Sequence, residues 1–339
     1  MKLGLLTGVI GNHERAEAFG ICQRLGLDCV ELGTGEFSSD WHVGLDEIVS
    51  DDGAVERLKS DLGHYGLEIS ALSCHCNALH PNPAYAERAL AVYRKTVLAA
   101  ERLGVEQICL FAGCPGTPDG GEYPNWVSTG WPTYFTELLE WQWSERIIPF
   151  WQEQAAFAAE HHVRLAFEMH PGDCVFNLET LLRLREACGE NVGSNFDPSH
   201  LWWQLSDPLV VARELGERGM LFHVHAKDTY IDLGRTARDG VLATTDQGDP
   251  LRSWRFATVG YGHDATFWKE LVSTLRVVGY DGVLSIEHED PLAPVMEGLE
   301  RTVELLRGAI WTEPSASLSW LVDPPNLTTL EQRRAGAPS

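Results

Sequence analysis

Basic residues are scarce in this 339-residue sequence, which has 26 Lys and Arg against 49 Asp and Glu and a formal charge of −23. This balance excludes nucleic acid as an expected partner, because binding to a phosphate backbone depends on Lys and Arg displacing counterions. No segment approaches the roughly 20 apolar residues that span a bilayer, and no cleavable signal pattern follows the short apolar run at the N-terminus. We therefore expect a cytoplasmic protein with no membrane partner.

Cysteine motifs of the metal-binding or redox type C-x-x-C are also lacking. None of the eight cysteines lies in a C-x-x-C motif, and in a chain this long they do not indicate a disulfide framework. Cys74 and Cys76 are the nearest pair, and we expect both to be buried free thiols. The 44% hydrophobic and 22% charged residues are typical of a globular domain and exclude a disordered chain.

Short β-branched or aliphatic runs alternate with helix-like segments up to about residue 308. Such alternation is typical of repeated βα units and a parallel sheet. Eight strand and helix pairs in this length predict an α/β protein with a (β/α)8 TIM barrel over residues 1–311. The predicted strands are 3–10, 28–33, 68–75, 107–113, 164–170, 192–197, 220–228 and 282–290.

Two stretches depart from the alternation. Residues 114–150 form a Gly/Pro-rich and Trp-rich insertion after the fourth strand, at the end of the barrel where long loops usually serve the site. Its tryptophans could equally pack the insertion onto the barrel. Residues 312–339, rich in Pro and Ser, are expected to be a C-terminal extension, and docking on a neighbouring subunit stays open.

Acids and histidines follow the last four predicted strands, where a barrel places its catalytic groups. Because strand side chains alternate between faces, residue parity decides which of them can meet. Inward-facing positions bring one group per strand to the barrel mouth: Glu168, Asp197, His225 and Glu287. Such a cluster of like charge would be costly without a cation. Three carboxylates and one imidazole suit a divalent metal, and we expect Mn²⁺ ahead of Mg²⁺, Co²⁺ or Zn²⁺.

These motifs resemble the xylose-isomerase-like barrels, a family of sugar and sugar-phosphate isomerases and epimerases that includes ketose 3-epimerases and inosose dehydratases. The resemblance covers residues 1–308. Its residues are Glu168 after strand five, the D-x-x-H of Asp197 and His200, the H-x-H of His223 and His225, and Glu287 after strand eight. It implies that Glu168 and Glu287 are both metal ligands and acid/base groups, one removing a proton beside a carbonyl to form an enediolate and the other returning it.

The resemblance also implies a small carbohydrate substrate, with contacts from His200, His170, Lys227, Arg255, His75 and Asn77. His170 could instead only orient a neighbour, and His223 is expected one layer deeper than His225. Asp228 is expected to hold Lys227 or a turn amide. No phosphate-binding Gly-rich loop opens a helix, which favours a non-phosphorylated substrate. Relatives often dimerise or tetramerise, so a homo-oligomer and a small partner subunit both stay open.

Three alternatives remain beside isomerisation or epimerisation. The same enolate could serve elimination, as in inosose dehydration or the cleavage of a 3-keto-glycoside by a C-glycoside deglycosidase. A second alternative is a non-catalytic sugar-binding or partner protein. A trinuclear zinc endonuclease of the same fold is disfavoured, because Trp254 and Phe256 stand where its Asp and His ligands are required.

Overall fold

The computed structural model describes residues 1–242 and 244–313. Eight parallel strands close a barrel, which confirms the predicted (β/α)8 fold. The barrel strands are β1 Lys2–Leu6, β2 Cys29–Gly33, β3 Glu68–Cys74, β4 Gln107–Leu110, β5 Arg164–Glu168, β6 Val192–Phe196, β7 Leu221–Ala226 and β10 Val283–Ile286. Around the barrel they follow the order β1-β10-β7-β6-β5-β4-β3-β2. Most of them end a few residues before the predicted limits.

Helices surround this barrel. They are α1 Arg15–Arg24, α2 Leu45–Ser50, α3 Asp52–Tyr65, α4 Pro83–Leu103, α5 Tyr134–Trp141, α6 Ile148–Glu160, α7 Leu178–Cys188, α8 Ser199–Trp202, α9 Pro208–Glu217, α10 Leu233–Asp239, α11 Ala265–Val277 and α12 Val295–Arg307. Asp264 is the N-cap of α11, since its carboxylate accepts hydrogen bonds from the N–H groups of Thr266 and Phe267. None of the described helices is long and apolar enough to cross a membrane.

Only about half of the stretch predicted as an insertion is a loop, and the rest is helical. A π-helical segment, Gln142–Ile147, joins α5 to α6, so helical structure runs from residue 134 to residue 160. Trp143 lies in the buried core, whereas Trp126 is half-buried and packs edge-on against Phe176. Of these two insertion tryptophans, Trp143 is therefore a core residue and Trp126 is a partly exposed loop residue.

An antiparallel pair of strands interrupts the alternation between β7 and α11. Strand β8, Asp228–Ile231, pairs with β9, Trp254–Ala257, and α10 lies between them. Asp228 holds the Gly-x-Gly turn that follows β9. Its Oδ2 accepts hydrogen bonds from the N–H groups of Gly260 and Gly262 at 3.0 and 3.1 Å. The predicted turn-amide role of Asp228 is thus confirmed. This segment, residues 228–257, is called the β8–β9 excursion below.

All eight cysteines lie within the described residues and are free thiols, and Cys74 and Cys76 are buried as expected. The predicted C-terminal extension lies outside the described residues from residue 314 onward.

Candidate metal centre

Four side chains converge at the carboxyl end of the barrel. Glu168 ends β5, Asp197 follows β6, His225 lies in β7 and Glu287 follows β10. One ligand atom from each lies within 4.8 Å of the others. The structure therefore brings together all four residues that strand parity selected from the sequence.

Hydrogen bonds and ion pairs hold these four groups in place. His225 Nδ1 lies 3.0 Å from Glu287 Oε2 and 3.3 Å from Glu168 Oε2. Asn195, which faces inward on β6, donates its amide N–H to Glu168 Oε2 at 3.0 Å. Asp197 Oδ1 accepts the N–H of Ser199, but the buried Oδ2 atom has no hydrogen-bond partner among the described residues.

The acids of this centre differ in their pKa values. Burial raises the pKa of Asp197 to about 6, and the charges of Glu168 and Glu287 reinforce this shift against Lys227. Burial also opposes ionisation of Glu287, but Lys227 and His225 outweigh it and lower its pKa to about 2. A pocket of acids in which one carboxylate oxygen accepts no hydrogen bond from the described residues is an environment that a divalent cation would neutralise.

Lys227 supplies positive charge at the edge of this cluster. Its Nζ lies 2.8 Å from Glu287 Oε2, 3.0 Å from Glu289 Oε2 and 3.4 Å from Asp197 Oδ2. The ammonium also sits over the Phe256 ring, 4.4 Å from its centroid. Lys227, which is predicted to contact the substrate, therefore lies beside the acids.

Three predicted histidines lie around Glu168. His200 Nε2 is 3.0 Å from Glu168 Oε1, and His75 Nε2 is 3.4 Å from Glu168 Oε2. His170 packs edge-on against His200, with ring centroids 4.5 Å apart, and its Nδ1 lies 3.5 Å from Asp173 Oδ2. Burial, helped by nearby His170 and Lys227, lowers the pKa of His200 to about 4, so this imidazole is neutral near pH 7.

Two predicted substrate contacts lie away from this cluster. The Asn77 side chain is committed to backbone, donating to Cys114 O at 2.9 Å and accepting from the N–H groups of Leu79 and Cys114. Arg255 stacks over Tyr230 at 4.1 Å and lines a separate cavity, because alternation in β9 turns it away from the face of Trp254 and Phe256. The structure brings neither residue to the four-residue centre.

Glu31, at the centre of β2, is a further buried acid beside this centre and is not part of the sequence motifs. Its carboxylate is fully buried and accepts hydrogen bonds from the hydroxyls of Ser73 and Ser285, the latter at 2.6 Å. Its Oε2 lies 3.0 Å from His225 Nε2, so Glu31 holds the nitrogen of His225 that points away from the other acids. His223 lies one layer deeper, as expected, where its Nδ1 is 3.1 Å from Asn195 Oδ1.

Two cavities flank this centre. One of about 440 Å³ is bounded by His170, His200 and the β8–β9 excursion. The other, of about 250 Å³, is lined by Glu287 and Glu289 together with residues after β1 and β2. The first cavity thus borders His200, which contacts Glu168, and the second borders Glu287 itself.

The barrel and the convergence of acids and histidine at its carboxyl end define the class of protein. The profile of the family described as "Xylose isomerase-like TIM barrel" matches residues 19–308, and the chain belongs to this family. The resemblance inferred from the motifs is confirmed.

Individual relatives agree with this assignment. The chain is 34% identical over 314 residues to the uncharacterized protein YfiH of Bacillus subtilis (strain 168), covering 91% of this chain and 99% of that one. The IolI protein, whose structure holds a zinc atom, superposes with a TM-score of 0.62 at 16% identity over 91% of this chain and 99% of IolI. An L-ribulose 3-epimerase superposes with a TM-score of 0.60 at 14% identity over 91% and 95% of the two chains. At these identities the two structures show a shared fold.

Proposed function

We propose that the protein is a divalent-metal-dependent sugar isomerase or epimerase that acts through an enediolate on a keto sugar or a sugar derivative. The observation that carries this proposal is the convergence of Glu168 and Glu287 with Asp197 and His225 at the barrel mouth. An L-ribulose 3-epimerase that shares the fold of this chain supports it as an example of such a reaction on the same barrel.

The donor set fits a divalent metal. Glu168, Asp197 and Glu287 would supply oxygen ligands and His225 a nitrogen ligand, and the buried Oδ2 of Asp197, which accepts no hydrogen bond among the described residues, could accept a cation. Such a donor set suits Mn²⁺, with Mg²⁺, Co²⁺ and Zn²⁺ compatible. A bound cation would supply electrostatic stabilisation for negative charge that develops on substrate oxygens.

Proton transfer is assigned to the two glutamates. Burial disfavours the ionised form of Glu168, but hydrogen bonds from His200, His225 and His75 outweigh it and hold its pKa well below the usual value. Glu168 and Glu287 come from strands separated in the barrel by β6 and β7, so they would approach a substrate in the barrel mouth from different directions. One carboxylate would accept the proton beside the carbonyl, and the other would return a proton to the opposite face.

Neighbouring donors would orient the substrate. Lys227 Nζ contacts Glu287 and could donate to a substrate oxygen next to that carboxylate. His200 is neutral, and its Nε2–H donates toward Glu168 Oε1, so a substrate hydroxyl could replace this partner. His170 and His75 lie close enough to assist in the same region.

A second candidate function is elimination, as in dehydration of an inosose or cleavage of a 3-keto-glycoside. The first proton abstraction would be identical, and a leaving group would then depart with help from an acid. The observation that favours it is the cavity of about 440 Å³ beside His200, which provides room for a group attached to the sugar.

Proton NMR of reactions in D₂O tests the proposal. The Mn²⁺-loaded protein is incubated with free ketohexoses, an inosose and 3-keto-glucosides, and the metal is removed before spectra are recorded. Metal-dependent deuterium incorporation beside the carbonyl, with an isomerised or inverted product, is the expected result. Release of water or aglycone would identify elimination instead. Tight metal and sugar binding with no exchange on any of these compounds would contradict catalysis and favour the sugar-binding alternative.

A further inference from the structure

The cavity of about 440 Å³ beside the centre is built largely from segments added to the barrel. Its walls come from the loop before α5, the loop after β5, helix α8 and the β8–β9 excursion. His200 lines the cavity and also contacts Glu168 and Asp197, at 3.0 and 3.3 Å. Phe256 lines it too and lies under Lys227. A substrate held at the four-residue centre would therefore extend into this cavity.

Three residues that line this cavity carry buried hydrogen-bond donors without partners in the described part of the chain. Among the described residues, the indole Nε1 of Trp126, the indole Nε1 of Trp203 and the Nε of Arg252 are buried and make no hydrogen bond, and all three residues line the cavity. Buried donors are normally paired, because an unpaired one costs about 1–3 kcal/mol. Three of them around one cavity indicate a ligand that presents acceptors.

Arg252 also brings a positive charge without a carboxylate partner. The residue is only 7% exposed, its Nη1 donates to Gln247 Oε1 at 2.7 Å, and its guanidinium lies over Trp254 at 4.4 Å. The nearby carboxylates of Asp246 and Asp249 instead accept backbone N–H groups of their own turns. Within the part of the chain that is described, neither forms an ion pair with Arg252.

Acidic residues are absent from the described lining of this cavity, although the whole chain carries a charge of −23. The lining residues are Trp126, Ser128, His170, Pro171, Gly172, His200, Trp203, Val241, Leu242, Thr244, Gln247, Arg252, Trp254 and Phe256. A buried cation needs a compensating anion, and a guanidinium matches the planar geometry of a carboxylate.

We infer that this cavity binds a carboxylate of the substrate, so that the substrate class is a keto sugar acid or a carboxylate-bearing cyclic polyol. The Arg252 guanidinium would pair with the carboxylate, and the indole N–H groups of Trp126 and Trp203 would donate to its oxygens. One permanent cation surrounded by neutral donors matches a single negative charge better than a phosphate dianion. This inference rests on the proposed function, because that function assigns the reacting part of the substrate to the four-residue centre.

Matched substrate pairs test the inference by binding, independently of turnover. The probes are D-fructuronate against D-fructose and D-tagaturonate against D-tagatose, since each pair differs at the terminal carboxylate, with D-fructose 6-phosphate as a third arm. Calorimetric titration of the Mn²⁺-loaded protein should give at least one acid a Kd lower than that of its neutral sugar by ~10-fold to ~100-fold, as expected for a charge-assisted pair. Arg252→Gln should remove this preference, and Arg252→Lys should restore part of it.

Arg238→Gln is the matched control, because Arg238 lies in the same excursion but is exposed and paired with Asp239. It should keep the wild-type preference, and circular dichroism should confirm that each variant is folded. No preference for the acid in either pair, or a preference that survives Arg252→Gln, overturns the inference. Tighter Arg252-dependent binding of the phosphate would overturn the carboxylate assignment. Deuterium exchange without acid preference would overturn only this inference, whereas acid preference without exchange would overturn only the proposed function.

Discussion

The buried contact between Glu31 and His225 gives a prediction that can be worked through in detail. Glu31→Gln keeps the shape of the side chain and removes its charge. In the wild-type structure the carboxylate lies 3.0 Å from His225 Nε2, which directs the Nε2–H toward Glu31 and turns Nδ1 toward Glu168 and Glu287. A carboxylate behind an imidazole in this way fixes the tautomer that can bind a metal and raises the basicity of the free nitrogen.

The expected magnitude follows from this role. A glutamine can present its NH₂ group to Nε2, which would favour the tautomer with the proton on Nδ1 and block ligation. Loss of such a supporting carboxylate typically costs ~10-fold to ~100-fold in metal affinity. We therefore expect the Kd of Glu31→Gln for Mn²⁺ to rise by this factor, which corresponds to about 1.4–2.8 kcal/mol.

Isothermal titration of Mn²⁺ into the metal-free protein measures this effect. Ser285→Ala is the control, because it removes one hydrogen bond to Glu31 but leaves the charged contact with His225 intact. Its Kd should change much less than that of Glu31→Gln. A folded Glu31→Gln protein that binds Mn²⁺ with the wild-type Kd would refute the reasoning.

Further predictions concern the acid/base pair, its histidine neighbour and the fold. Glu287→Gln should abolish deuterium exchange and weaken Mn²⁺ binding, and a variant that keeps both would contradict the assignment. His200→Ala should retain the metal in a titration while kcat/KM falls, since His200 touches Glu168 and Asp197 but is not one of the four groups. Gly33→Ala should lower the free energy of unfolding in urea by about 1–3 kcal/mol, because the added Cβ would meet the backbone carbonyl of Ser38. Gly63→Ala, where a Cβ meets nothing, should not destabilise, and equal losses at both positions would contradict the steric argument.

The barrel and the four-residue centre could be predicted because their signals are local. Alternation along a strand fixes which side chains face inward, and the carboxyl ends of parallel barrel strands lie at one mouth. Glu168, Asp197, His225 and Glu287 are each selected by these two rules, and no knowledge of long-range contacts was needed to expect that they meet.

The β8–β9 excursion could not be predicted in the same way. Its strands are four residues each, and residues 232–253 separate them, so the pairing depends on contacts that no short pattern encodes. Because β9 was not expected to be a strand, parity could not show that Arg255 faces away from Trp254 and Phe256. The same omission hid the cavity that Arg252 lines.

Glu31 shows a different limit. Parity places it inside the barrel, but its importance depends on Ser73, Ser285 and His225, which come from three other strands. The pattern of a single strand shows that a carboxylate faces inward, but it does not show whether hydrogen-bond donors will surround that carboxylate. Only the closed barrel, in which β1 and β10 separate β2 from β7, brings these groups together.

Mn²⁺ binding followed by electron paramagnetic resonance tests most directly whether Glu168, Asp197, His225 and Glu287 form one divalent-metal site. The wild-type chain should bind one tight Mn²⁺ ion, Asp197→Asn should lose it, and Glu289→Gln should keep it, because Glu289 contacts Lys227 and is not one of the four groups. Unchanged Mn²⁺ binding in Asp197→Asn, or equal loss in Glu289→Gln, would contradict the account.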